Sequence, residues 1–439
     1  MRLASQSFLA IAALALAVSA QQKVPPPTPQ VVNIYNSVYC SLFPSLNSCI
    51  GSLNATGGYA IVPPGSKLVL TRTLDVGNVN GVPAVLYIQR GGQVIINVGN
   101  GPAIRLHKGA MLKCDQGPTQ VRDTQGVPEI VMGPAASIDD LVVNATTDGQ
   151  QQTASIEGCE FFDPGGNTGK ISGAVVHWTS LASNTFMRDT QIGAFPTAQI
   201  KIENTSGVFS SSYDLDNVVS NCYGLANCVP LLIQANPAGA PSAIRINGGQ
   251  YVHAGRDRAM IDCEGSGQAS ANAPYGITII GTYLEPSTST NAIGIKIRDC
   301  HDVMISGISA AGAGGTDLVN ISESAPGLVY GINIHTVYNR GFSKIIRDTV
   351  NARTISGASL ADYEYSSTSV YDKIMVQSYL SPPMARIRSL RKCASINEGS
   401  HAVAKDCSEP CGSGKKCVSG GVTHCELYCN GSEYVETGR

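Results

Sequence analysis

Ile295-Lys296-Ile297-Arg298-Asp299-Cys300-His301-Asp302-Val303-Met304-Ile305-Ser306-Gly307-Ile308 decides the fold. It holds two short alternating strands, Ile295 to Ile297 and Val303 to Ile305, on either side of a polar turn. Alternation of this kind buries one face of a strand and wets the other. Neither strand is long enough to make a core alone. The second phrase recurs along the chain. Ile244-Arg245-Ile246, Ile277-Thr278-Ile279, Val303-Met304-Ile305 and Ile332-Asn333-Ile334 align on Ile246, Ile279, Ile305 and Ile334, spaced 33, 26 and 29 residues apart. Ser155-Ile156-Glu157-Gly158 has the same form. A second series lies between these: Ile200-Lys201-Ile202, Leu231-Leu232-Ile233, Met260-Ile261-Asp262, Ile295-Lys296-Ile297, Val319-Asn320-Ile321 and Ile345-Ile346-Arg347.

Each period therefore carries at least two short strands. One such coil cannot bury its own apolar face, whereas a stack of coils makes one continuous core. A propeller would need longer repeats and tight hairpin turns, and a sandwich would not explain irregular loops between regular strands. The sequence predicts an all-β, right-handed parallel β-helix over residues 31–350. Polar turns close the second series at Glu203-Asn204, Gln234-Ala235-Asn236, Asp262-Cys263-Glu264, Arg298-Asp299-Cys300, Ser322-Glu323 and Arg347-Asp348. Stacked in register, they would form a ladder along the outside. Cys263 could meet Cys300 there, and Cys222 and Cys228 could close a small loop.

Cys49-Ile50-Gly51-Ser52-Leu53-Asn54-Ala55-Thr56-Gly57-Gly58-Tyr59-Ala60-Ile61-Val62-Pro63-Pro64-Gly65 resembles the opening of pectate-lyase-like β-helices. There a capping helix leads through a Gly-Gly turn to the first strand. The segment from Ile295 to Ile308 is similar to the coil repeat of that superfamily. The resemblance runs from residue 31 to about 350 and implies architecture. That fold hosts lyases, hydrolases, esterases and binding proteins. The Asn-Thr-Asp and Gly-His-Gly motifs of polygalacturonase-like hydrolases are absent. Asp139-Asp140 lies in an earlier coil, and Lys296-Ile297-Arg298 reverses the expected Arg-Ile-Lys order. The resemblance thus assigns no catalytic residue.

The flanks differ from the repeat. Residues 1–20 read as a secretory signal: Arg2, the apolar run Phe8 to Val18, then small residues before Gln21. That run is shorter than the roughly 20 apolar residues a membrane span needs. Residues 21–30 form a Pro-rich linker, and residues 31–53 read as partly helical. Residues 351–392, with Tyr363, Tyr365, Tyr371 and Tyr379, read as a cap over the last coil. Residues 393–439 carry six of the 14 cysteines and read as a disulfide module, in keeping with export. Cys407/Cys411 and Cys425/Cys429 also leave zinc open by spacing.

A net charge of −2 with 14% charged residues leaves no basic stripe, so nucleic acid is not an expected partner. After signal cleavage no membrane is expected either. Polysaccharide is the expected partner and the extracellular space the expected location. The densest polar patch spans residues 253–302. Asp257 and Asp262 are candidate paired carboxylates, with Glu285 as a third; Lys296 and Arg256 are the candidate cations. Paired carboxylates would serve glycoside hydrolysis. A cation and a base would serve β-elimination from a uronate. Asp257, Asp262, Glu285 and Lys296 are thus the candidate catalytic set. Arg256, Arg298, His301 and Trp178 are the candidate substrate-binding set, Trp178 as a sugar platform. No cofactor is expected; a ladder of carboxylates leaves calcium open. Two functions compete. One is a lyase or glycoside hydrolase on an acidic extracellular glycan. The other is a non-catalytic glycan-binding or structural protein. Convergence of Asp257, Asp262, Glu285 and Lys296 in one groove would favour the enzyme, and scattered positions the binder.

Overall fold

The computed structural model describes residues 36–80, 82–115, 129–145, 153–163, 170–179, 183–205, 210–267, 272–287, 291–350, 353–356, 384–385, 401–407, 423–429, 432 and 434–436. The expected signal and linker, most of the expected cap and much of the Cys-rich tail lie outside these residues.

The chain is a parallel β-solenoid. Each complete coil carries three strands, which stack into sheets I, II and III. In sheet I, Ile246 pairs Ile279, Ile279 pairs Ile305 and Ile305 pairs Ile334, all in parallel register. The isoleucine repeat is therefore a spatial column. Sheet III has ten strands, and its core column runs Ile200, Leu231, Ile261, Ile295, Val319, Ile346. Every member of both columns is at most 2% exposed. At about 1.5–3 kcal/mol for each fully buried large aliphatic side chain, the two columns together bury far more than any surface ion pair supplies. Met260 and Ile345 sit one residue out of the expected register, since Ile261 and Ile346 hold the paired positions.

Sheet II was not expected from sequence. Its strands are short, such as Gln191–Gly193, Val219–Asn221, Gln250–Val252 and Tyr283–Glu285. Each follows sheet I after a two-residue turn. The first turn residue is left-handed in successive coils: Gly158, Asp189, Asn217, Gly248, Gly281 and Gly307 have φ between 47° and 70°. Glycine, Asn and Asp are the residues that tolerate this backbone. A Cβ added to Gly281 would meet nothing closer than 4.0 Å, so Gly281→Ala tests the backbone term alone. It should lower stability by about 1–2 kcal/mol, read from the urea midpoint at unchanged m-value.

The ends of the helix follow the sequence in part. Ser37–Tyr39 pairs the first coil, and the helix Leu46–Gly51, capped by Ser45, packs its Leu46, Cys49 and Ile50 into the core. Cys40–Cys49 ties this cap together. Parallel pairing continues past residue 350 to Arg353–Ser356. Both expected disulfides, Cys222–Cys228 and Cys263–Cys300, are present, and Cys114–Cys159 joins them. Cys263 is not in an outer turn as expected. Asp262-Cys263-Glu264 ends the strand Ala259–Glu264, so Cys263 points into the core while its neighbours point out. Met384–Ala385, His401–Cys407, Thr423–Cys429 and Tyr434–Glu436 form a separate four-stranded sheet. No helix among the described residues is long and apolar enough to cross a membrane.

Candidate functional site

The outer face of sheet III carries the polar clusters. Register fixes its central column as His177, Lys201, Leu232, Asp262, Lys296, Asn320, Arg347. Residues about thirty apart in sequence become neighbours one strand spacing apart, about 4.8 Å.

Asp262 and Lys296 meet here. Lys296 Nζ lies 3.3 Å from Asp262 Oδ1 and also donates to Glu264 Oε1. Asp262 and Glu264 are alternate residues on one strand, so both project outward. One ammonium therefore bridges two carboxylates. The Asp262 side chain is only 7% exposed. Burial pushes its carboxyl up to about 6, against the pull of Lys296. Burial also disfavours the Lys296 charge, but Asp262 and Glu264 outweigh it and hold the ammonium above its usual range. Glu264 and Arg298, paired in register, then line a cleft of about 390 Å³ with Gly265, Ser266, Asp299 and Ser324. The floor is fixed by Asp299, which accepts from the Ser324 backbone N–H at 2.6 Å and from its hydroxyl at 2.7 Å. The cleft itself presents Glu264 and Arg298, and behind Glu264 lies Lys296 with the buried Asp262 carboxyl, raised to about 6.

The remaining expected residues lie elsewhere. Arg256 and Asp257 are exposed in the loop between sheets II and III, 3.9 Å from each other. Glu285 ends a sheet II strand, where it accepts from Tyr283 Oη at 2.8 Å and lies 3.6 Å from His253 Nε2. Asp257 and Glu285 do not join the Asp262–Lys296 pair. His301 is buried where sheet I begins, its ring stacked between Tyr275 and Tyr330 at centroid distances of 5.4 and 4.3 Å. Trp178 is fully buried in the core, paired in register with Ile202, and offers no sugar platform. Alternation explains it: Val176 and Trp178 face inward and His177 faces out.

His177 belongs to no motif in the sequence, yet it sits in a network. Its Nδ1 lies 3.0 Å from Asp140 Oδ2 and its Nε2 2.7 Å from Glu203 Oε1. Lys201 Nζ lies 3.0 Å from Glu203 Oε2. Burial opposes charge on the ring, but its hydrogen bonds to Asp140 and Glu203 outweigh that and raise its pKa above 6.5. A raised histidine stabilises the fold fully below its unfolded value and loses that contribution as pH rises through the folded value. His177→Gln should therefore cost most in acid and least above that value, which urea denaturation across pH would read. The only advance signal was the spacing: Asp140, His177 and Glu203 recur one coil apart.

No group of three or more metal-ligating His, Cys, Asp or Glu side chains gathers among the described residues.

No family model and no curated protein matches this chain. It is similar to several solved structures at low identity. One is the Azotobacter vinelandii mannuronan C-5 epimerase AlgE4 A-module, at 12% identity and TM-score 0.40, over 76% of this chain and 99% of that one. The AlgE6 A-module of the same organism gives 13% and 0.35, over 79% and 100%. The tailspike gp49 of Acinetobacter baumannii bacteriophage Fri1, a capsular polysaccharide depolymerase, gives 9% and 0.40, over 92% and 79%.

Proposed function

We propose that this protein is a polysaccharide-acting enzyme, a lyase or glycoside hydrolase, that works outside the cell on an acidic glycan. One observation carries the reading: the buried Asp262 carboxyl, raised to about 6, held against Lys296 across two adjacent coils, with Lys296 also bound to Glu264 at the edge of the cleft. A carboxyl poised near the working pH can take or deliver a proton. Lys296 and Arg298 would neutralise a uronate carboxylate. Glu264 would supply the second carboxylate that hydrolysis requires. The β-helix gives this set a long face along which a polymer can lie.

The placement of Asp257 and Glu285 away from this pair favours the second reading, a non-catalytic glycan binder. An activity screen separates the two. The mature chain, residues 21–439, is incubated with pectic and other acidic polysaccharides, with and without calcium. New reducing ends together with the ultraviolet absorbance of unsaturated uronides mean a lyase. Reducing ends alone mean a hydrolase. Neither signal from folded protein means a binder.

A further inference from the structure

A second groove lies on sheet I, a different face from the Asp262 cluster. It has a volume of about 510 Å³ and runs along the solenoid over four coils, from Asn184 to Thr278. The second residue of each strand lines it and carries a short side chain or none: Asn184, Ser212, Ala243 and Gly276. All four are left-handed, with φ of 51°, 66°, 52° and 67°. A repeated irregularity of this kind in four stacked strands is a continuous channel rather than a local dent.

Its wall has a definite chemistry. Arg245 Nε donates to Asp214 Oδ1 at 2.6 Å while a terminal nitrogen of the same guanidinium donates to Oδ2. Arg188 Nε lies 3.3 Å from Asp216 Oδ2, and its guanidinium lies 5.3 Å from the centroid of the Phe186 ring. Arg188, Arg245 and Asp214 line the groove, and Asp216, just outside the lining, pairs Arg188, so each arginine already has a carboxylate partner. An anionic ligand would have to displace one of them. A polyol would not: the outer guanidinium N–H groups and carboxylate lone pairs remain to meet hydroxyls, and Phe186 offers an apolar surface to ring C–H groups. The four coils span roughly 14 Å, the length of about three sugars in an extended strand.

We infer that this groove binds an uncharged, linear stretch of oligosaccharide. The inference rests on the glycan reading above but not on catalysis. It makes the protein a two-faced binder, with acidic sugars met on sheet III and neutral ones on sheet I.

The test is calorimetric titration of the full chain with neutral hexasaccharides of cellulose, mannan, xylan, galactan and arabinan. Arg245→Ala, Phe186→Ala and the sheet III control Arg298→Ala are titrated in parallel, each checked for an unchanged melting temperature. The expected result is saturable binding of at least one hexasaccharide. Arg245→Ala and Phe186→Ala should each weaken it about tenfold, and Arg298→Ala should leave it unchanged. No binding by the wild-type chain overturns the inference. So does binding that both groove variants retain, or that Arg298→Ala alone removes. A protein that binds in the expected way but fails the polysaccharide screen loses the catalytic reading and keeps this one.

Discussion

Replacing Lys296 by methionine should cut turnover of an acidic polysaccharide at least about a hundredfold and destabilise the fold at neutral pH. The second effect needs no substrate. Methionine keeps the length of the side chain and removes its charge, leaving Asp262 buried with its cation gone. Removing one partner of a buried pair costs about 3–5 kcal/mol; because Lys296 and Glu264 are partly exposed, about 2–3 kcal/mol is expected here. The pH dependence identifies the cause. Asp262 has a folded pKa of about 6, above its ordinary 3.8, so the folded state binds its proton more tightly. Wild-type stability from this group is therefore greatest at low pH and falls as pH rises between those two values. Without Lys296 the folded value climbs further and the decline extends to higher pH. Urea denaturation of both proteins at about pH 4 and about pH 7.5 should show a small difference in acid and a large one at neutrality. An equal deficit at both would mean that Lys296 acts by packing alone.

The same register that creates this pair explains what the sequence could and could not disclose. The isoleucines of sheets I and III alternate in strands long enough to read, so the solenoid and its period were legible. The strands of sheet II are only three or four residues long, too short for alternation to be read. Val219-Ser220-Asn221 and Tyr283-Leu284-Glu285 share no residue type that would mark them as one column. Proximity in sequence then misled. Asp257 and Asp262 are five residues apart, but one sits in a loop and the other on a strand. Glu285 lies in the same coil as Lys296 but on sheet II. Lys296 is 34 residues from Asp262 and directly beside it. In a solenoid, side chains meet along columns, and a column is visible only when the strand register is known. His177 shows the same thing: its two carboxylate partners are 37 and 26 residues away.

Asp262→Asn should separate a catalytic carboxyl from a structural one. If Asp262 takes or delivers the proton, the amide removes that step, and activity should fall about a hundred- to ten-thousandfold. Stability should move the other way. At pH 7 the wild-type chain holds an ionised carboxylate in a place that raises its pKa by about two units, an unfavourable contribution of the order of 2–3 kcal/mol. Asparagine is nearly the same shape and carries no charge. Lys296 keeps Glu264 as its partner, so the ammonium is not orphaned. The variant should therefore be as stable as the wild type at pH 7 or more so, with the gain shrinking toward pH 4, where Asp262 is already neutral. A carboxylate kept for its ion pair would behave differently: its loss would lower the melting temperature at pH 7 and leave turnover intact. Loss of turnover with no loss of stability is therefore the pair of results that would mark Asp262 as kept for chemistry and not for the fold.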